Sequence, residues 1–249
     1  MALMRPSRVM PPAAVLAPRS MVPADDARVP APAVRLLALA AMAAAGFAVT
    51  LTLVTSGTVD SGDRRALVAL HDQLQSWGVA SAAERIFRLA EAAGGTVGLP
   101  VLLGLVAAAL LAMRRRWLRV AGVAATVAGG TVLSEVIFKN LVARQRPDIV
   151  PGINVDAGYS FPSGHATQAM CGILCMALVI ASVTSGRWLR RLILSAAVVA
   201  VVLIDLSRLV LLAHWPSDVV GGTLLGAAWS ASVWAAVLIA ETHSPDSAR

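Results

Sequence analysis

Apolar residues run in long blocks from about position 33 to 240, broken only by short polar linkers. A bilayer core about 30 Å thick takes roughly 20 apolar helical residues to cross. Six segments meet that requirement: 34–54, 94–113, 117–138, 164–183, 192–213 and 219–240. The pattern predicts an all-α fold, a polytopic six-transmembrane-helix bundle. Residues 55–93, between the first two spans, are too polar to cross. There Leu67, Leu70, Leu74 and Trp77 recur at helical spacing among Arg64, Arg65, Asp72 and Gln73, which predicts a short helical segment lying at the membrane interface. Ser81 followed by Glu84 has the spacing of a capping box that opens a second short helix. No internal repeat of the kind that builds transporters from two halves is present.

The ends of the chain read differently. Residues 1–33 are rich in Pro and Arg and cannot build a core, so a disordered tail is expected there. The apolar stretch behind it is too long for a signal-peptide core and reads as an uncleaved first span. Residues 34–240 then form one membrane domain, and 241–249 a short tail.

Composition sharpens this reading. The chain is 57% hydrophobic and 14% charged, with a mean hydropathy of +0.74, against about 45–50% and 25% in soluble domains. An ordinary soluble domain, a disordered chain and a disulfide-rich secreted module are excluded. Of the 21 Lys and Arg residues, Lys139 alone is lysine. Arginine concentrates in the N-terminal tail, at Arg114, Arg115, Arg116 and Arg119, and at Arg187, Arg190 and Arg191. With six spans these clusters share one side, which the positive-inside rule makes cytoplasmic. Both termini are expected there. The basic excess thus reads as orientation, and no nucleic-acid partner is expected. Abundant Ala and Arg point to a GC-rich genome and a bacterial inner membrane. Cys171 and Cys175, four apart in an apolar stretch, read as packing residues and not as a metal pair.

The polar residues that remain gather in three places, all at the outer face in this topology. They are Lys139 to Arg146-Pro147, Pro162-Ser163-Gly164-His165, and Ser207-Arg208 through His214 to Asp218. Lys and Arg suit the distributed charge of a phosphate. Ser163 and Gly164 precede a helix whose first N–H groups lack internal partners, and such a helix start binds anions. His214 and Asp218 are four apart, so the carboxylate can take the proton of one ring nitrogen and leave the other as nucleophile or base. His165 is a second group for proton transfer. Together these make a phosphoryl-transfer site.

The three motifs, Lys-x(6)-Arg-Pro, Pro-Ser-Gly-His and Ser-Arg-x(5)-His-x(3)-Asp, resemble those of the phosphatidic acid phosphatase type 2 superfamily of membrane lipid phosphatases. Every position is matched, and the resemblance spans about residues 34–240. It implies His214 as the nucleophile that forms a phosphohistidine, Asp218 as its orienting partner, and His165 as the acid that protonates the leaving group and then activates water. Lys139, Arg146, Arg208, Ser163 and the Gly164 amide would hold the phosphoryl oxygens. No metal and no cofactor is implied, because the cations do what Mg²⁺ does in kinases. The partner would be a phosphorylated membrane lipid; the sequence carries no signal for an oligomeric state.

Other residues take plainer readings. Arg35, Arg119 and Arg144 read as snorkelling anchors at span ends, with Arg144 also a candidate second-phosphate cation. Trp77 and Trp215 read as interface anchors, and His71 and His243 as surface residues. Glu135, four before Lys139, and Asp205, three before Arg208, are expected to orient those cations. A membrane transporter or channel for a phosphorylated lipid or anion would have no use for His-x(3)-Asp beside Pro-Ser-Gly-His. A vanadate-dependent haloperoxidase shares the anion-binding motifs but not the six spans. Among lipids, the reading ranks polyprenyl diphosphate ahead of phosphatidate and phosphatidylglycerophosphate.

Overall fold

Among the described residues every regular element is a helix. The computed structural model describes residues 29–94, 98–113, 116–150 and 158–243. The expected tail at 1–28, Arg114, Arg115 and residues 244–249 lie outside them. The helices are α1 (Ala31–Thr55), α2 (Asp60–Ser76), α3 (Ala80–Gly94), α4 (Gly98–Met113), α5 (Trp117–Val142), α6 (Gly164–Val183), α7 (Arg187–Val210) and α8 (Pro216–Thr242).

Four of these, α1, α5, α7 and α8, are long and apolar enough to cross a membrane. The fold is that of a helical membrane protein. Among the described residues, the predicted spans at 94–113 and 164–183 carry the helices α4 and α6. With 16 residues, α4 is about 24 Å long at 1.5 Å per residue. α6 is apolar over Gly164–Ile180. Its first two turns carry His165, Thr167 and Gln168, and these turns are enclosed by protein, with Thr167, Gln168 and Ala169 all buried. A helix surrounded by other helices needs no continuous apolar surface. By contrast α7 exposes Val198, Val199, Val202, Leu203 and Leu206, the kind of surface that lipid covers.

Between α1 and α4 the chain forms two helices. Leu67 on α2 is buried while Trp77, at the end of that helix, is exposed. α3 opens one residue ahead of Ser81, and Glu84 pairs with Arg88 at 2.9 Å rather than closing a capping box. Arg119, expected as a lipid anchor, instead donates twice to Glu241 at 2.7 and 3.0 Å and ties the start of α5 to the end of α8.

Small residues set how closely the bundle packs. On α8, Gly222 and Gly226 are four apart and face α6. A Cβ at Gly222 would lie 2.4 Å from the Ser163 carbonyl oxygen, and one at Gly226 would lie 2.7 Å from that of Thr167. Such small-residue faces let membrane helices approach to backbone distance, where van der Waals contact replaces the missing hydrophobic drive. The approach is sealed by Thr167, whose hydroxyl donates to the Ser163 and Gly222 carbonyls at 3.0 and 3.1 Å. Val123, Cys175, Val179, Trp234 and Val237 form one apolar cluster, and Phe47, Phe161 and Leu225 form another.

Gly222→Ala should therefore push α8 off α6 and destabilise the protein by about 1–3 kcal/mol, seen as a lowered unfolding temperature in detergent. Gly62→Ala, where a Cβ meets nothing within 4 Å, should not; equal behaviour of the two variants would refute the packing argument.

Candidate active site

Each motif residue is positioned by a helix end. In α5 a π-helical turn, Val132–Phe138, directly precedes Lys139. Lys139 lies on the last helical turn and donates to Glu135 at 2.7 Å, as the spacing predicts. Glu135 lies against the start of α6. A Cβ at Gly164 would sit 1.8 Å from its Oε1, so glycine there leaves room for the Lys139–Glu135 pair. Ala143, in the left-handed region at φ 51°, then ends α5.

Ser163 caps α6 and is fully buried, its hydroxyl accepting the Ala166 N–H at 3.4 Å. Its own N–H donates to the Asp218 carbonyl at 2.9 Å. This backbone bond joins the second motif to the third. On α7, Arg208 is buried and its Nη1 lies 3.0 Å from His165 Nε2, while its Nε donates to Ser207 at 3.0 Å. Asp205 does not orient Arg208. It accepts from Thr223 at 2.8 Å instead, because one turn of helix points it toward α8.

His214 follows α7 in the connection to α8 and is buried. Its Nε2 lies 3.4 Å from Arg146 Nη1, and Arg146 also donates to the Ala213 and Gly158 carbonyls. Its Nδ1 faces Asp218 Oδ2 at 3.6 Å, beyond hydrogen-bond length, and has no closer partner. Asp218 is held back by other bonds. Oδ2 accepts the Trp215 N–H at 2.8 Å, closing the start of α8, and Oδ1 accepts from Arg144 at 2.7 Å. Burial pushes the His214 ring below the usual imidazole range. Asp218 pulls the other way, and the Arg146 and Lys139 charges add to the fall. The ring is therefore held in its neutral form, which leaves a ring nitrogen free to accept a proton or to attack.

Lys139, Arg146, His165, Arg208 and His214 thus act on one another across a single site, with Ser163, Gly164 and Asp218 at its edge. Sequence reasoning missed three further groups. Arg144, expected to snorkel, is nearly buried and bonds Asp218, Asp63, Asp60 and Ser217. Asp63 is buried in the first turn of α2. The only signal for it is an acidic pair, Asp60 and Asp63, on the segment expected beside these cations. Trp215 lies under Arg144, 5.6 Å from its guanidinium, and donates to the Gln145 carbonyl at 2.9 Å. Its anchoring is to protein.

The profile of the PAP2 superfamily matches residues 117–240. A decaprenylphosphoryl-5-phosphoribose phosphatase of Mycobacterium tuberculosis is 39% identical over 140 residues, covering 55% of this chain and 70% of the relative. Its counterpart in Mycolicibacterium smegmatis is 34% identical over 165 residues, 65% and 81% of the two chains. The fold is similar to the crystal structure of a transmembrane PAP2-type phosphatidylglycerolphosphate phosphatase from Bacillus subtilis, with a TM-score of 0.65 and 24% identity, over 79% of this chain and 94% of that one. The chain belongs to the PAP2 superfamily and is a membrane phosphatase.

Because a lowered His214 pKa keeps the free base at lower pH, phosphatase activity should persist into acid. The acid limb of kcat/KM, which reports the free enzyme, should lie below the ordinary imidazole value of 6.5. A limb at or above that value would contradict the burial argument.

Proposed function

We propose that this phosphatase removes a terminal phosphomonoester from a polyprenyl-linked membrane lipid, with His214 as nucleophile. The observation that carries the reading is the His214 ring, held neutral by burial, with Nε2 beside Arg146 and Nδ1 facing Asp218. Nε2 attacks phosphorus as the bond to the leaving oxygen breaks. His165 gives that oxygen a proton. The phosphohistidine is then opened by a water whose proton passes to His165, releasing phosphate and free His214. Lys139, Arg146 and Arg208 balance the charge on the phosphoryl oxygens, and the start of α6 at Ser163 and Gly164 supplies backbone donors.

Two observations favour a monoester over the diphosphate ranked first on sequence. Arg144, a snorkelling anchor or second-phosphate cation by its sequence, is committed to three carboxylates. The mycobacterial relatives, too, are named for a phosphoribose carried on a decaprenylphosphoryl group.

Purified protein in detergent should release phosphate from a polyprenylphosphoryl phosphoribose at least tenfold faster in kcat/KM than from polyprenyl diphosphate or phosphatidylglycerophosphate, about 1.4 kcal/mol in the transition state. The reverse order overturns the substrate assignment. His214→Ala should lower the rate by at least about 10³-fold, and Asp218→Asn by less. Full activity of His214→Ala removes the mechanism.

The orientation belongs to the same reading: six membrane-crossing helices, both termini in the cytoplasm, and the site at the outer face of the inner membrane. The basic clusters support it through the positive-inside rule. With Cys171 and Cys175 replaced by alanine, cysteines at the exposed positions Asp148 and Ser185 report the two faces. A membrane-impermeant thiol reagent should label the first and spare the second in intact cells. The opposite pattern would put the site in the cytoplasm.

A further inference from the structure

Arg144 sits two residues before Arg146, yet its guanidinium is bonded to carboxylates and a hydroxyl. Its backbone carbonyl accepts the Ser160 N–H at 2.8 Å. Its side chain, only 10% exposed, runs over the Trp215 ring into a cluster of acids. Nη1 donates to Asp218 Oδ1 and to Ser217 Oγ, both at 2.7 Å. Nη2 donates to Asp60 Oδ1 at 2.7 Å and to Asp63 Oδ2 at 2.8 Å. Of the two acids on α2, Asp63 is 6% exposed and Asp60 is 62% exposed. Asp63 also accepts the backbone N–H of Ser217 at 3.1 Å and its hydroxyl, so it grips the first turn of α8 as well as the guanidinium.

The planar guanidinium therefore bridges two helices, and one of its forks ends on the carboxylate that faces the nucleophile. A carboxylate turns easily about its last bond, and only one of its oxygens can serve His214. Here Arg144 takes Oδ1, while the Trp215 N–H holds Oδ2 on the His214 side. We infer that Arg144, held from α2 by Asp63, is a positioning residue that fixes the Asp218 carboxylate against His214. The inference rests on the phosphohistidine reading above. As Nε2 bonds to phosphorus the ring gains positive charge, and a correctly turned Asp218, 3.6 Å from Nδ1, has less than about 1 Å to close to a charge-assisted hydrogen bond. Arg144 acts on that step through Asp218, so its loss falls on kcat and not on lipid binding.

The test is a mutant cycle on lipid-phosphate hydrolysis in detergent, with Arg144→Ala, Asp218→Asn and the double variant. Arg144→Ala should lower kcat by about 30-fold or more with KM within about twofold, and the double variant should be no slower than Asp218→Asn alone. Arg144→Lys should recover part of kcat, because it returns the charge but not the fork. Asp63→Asn should lower kcat less than Arg144→Ala and add nothing to it. Arg119→Gln is the control for the mere loss of an ion pair, the one with Glu241. It should lower the unfolding temperature and leave kcat unchanged.

Three results overturn the inference: unchanged kcat in Arg144→Ala, a raised KM at constant kcat, or losses that multiply in the double variant. If Arg144→Ala fails to fold, Arg144→Lys and Asp63→Asn carry the same cycle against Asp218→Asn. Wild-type protein and His214→Ala that are equally inactive on all three lipids would remove the phosphatase reading, and this inference with it.

Discussion

A carboxylate with no exposed surface sits at the start of α8, and one end of the molecule is arranged around it. Taking an ionised group out of water is costly, and breaking the ion pair that compensates it typically costs about 3–5 kcal/mol. Asp218 is met by a guanidinium from the connection after α5 and by the N–H of Trp215. Its backbone carbonyl meanwhile receives the N–H of Ser163. One residue thereby touches all three polar segments of the chain. The same bonds hold its side chain 3.6 Å from His214, so the demand for burial and the demand for orientation are met together.

That arrangement needs rigid supports, and the helices supply them by lying unusually close. Gly222 and Gly226 bring α8 to the backbone of α6, and Gly164 lets Glu135 lie across the start of α6. Lys139, His165, Arg208 and Asp218 all lie within helices, close to their ends. Sites carried by packed helices hold their geometry better than sites on free loops. The π-helical turn in α5 belongs to the same scheme, since it changes the direction in which the last turn of that helix presents its side chains.

Much of this was legible before any coordinates. Apolar blocks announce helices, and the three motifs announce their shared chemistry, because both signals are local in sequence. The Glu135–Lys139 pair follows from helical spacing for the same reason. What failed was non-local or depended on a neighbour. Arg144 and Asp63 are 81 positions apart, and a snorkelling arginine and a pairing one look alike until α2 is docked. Asp205 was assigned by spacing to Arg208, yet a hydroxyl on the adjacent helix lay closer. Apolar length marks 94–113 and 164–183 as candidate spans, but it does not reveal that the first turns of α6 are enclosed by protein.

The turn at Val132–Phe138 sets the direction in which the sole lysine of the chain points. A π-helical turn accommodates one residue more than an α-helix would over the same length, and each residue of an α-helix rotates the next by about 100°. Loss of one residue there would leave a regular apolar helix in place while swinging the Lys139 ammonium away from Glu135 and the start of α6. A change in helix length at that point would displace the ammonium further than most substitutions nearby could. An alignment that slides a gap freely through residues 132–138 would hide it.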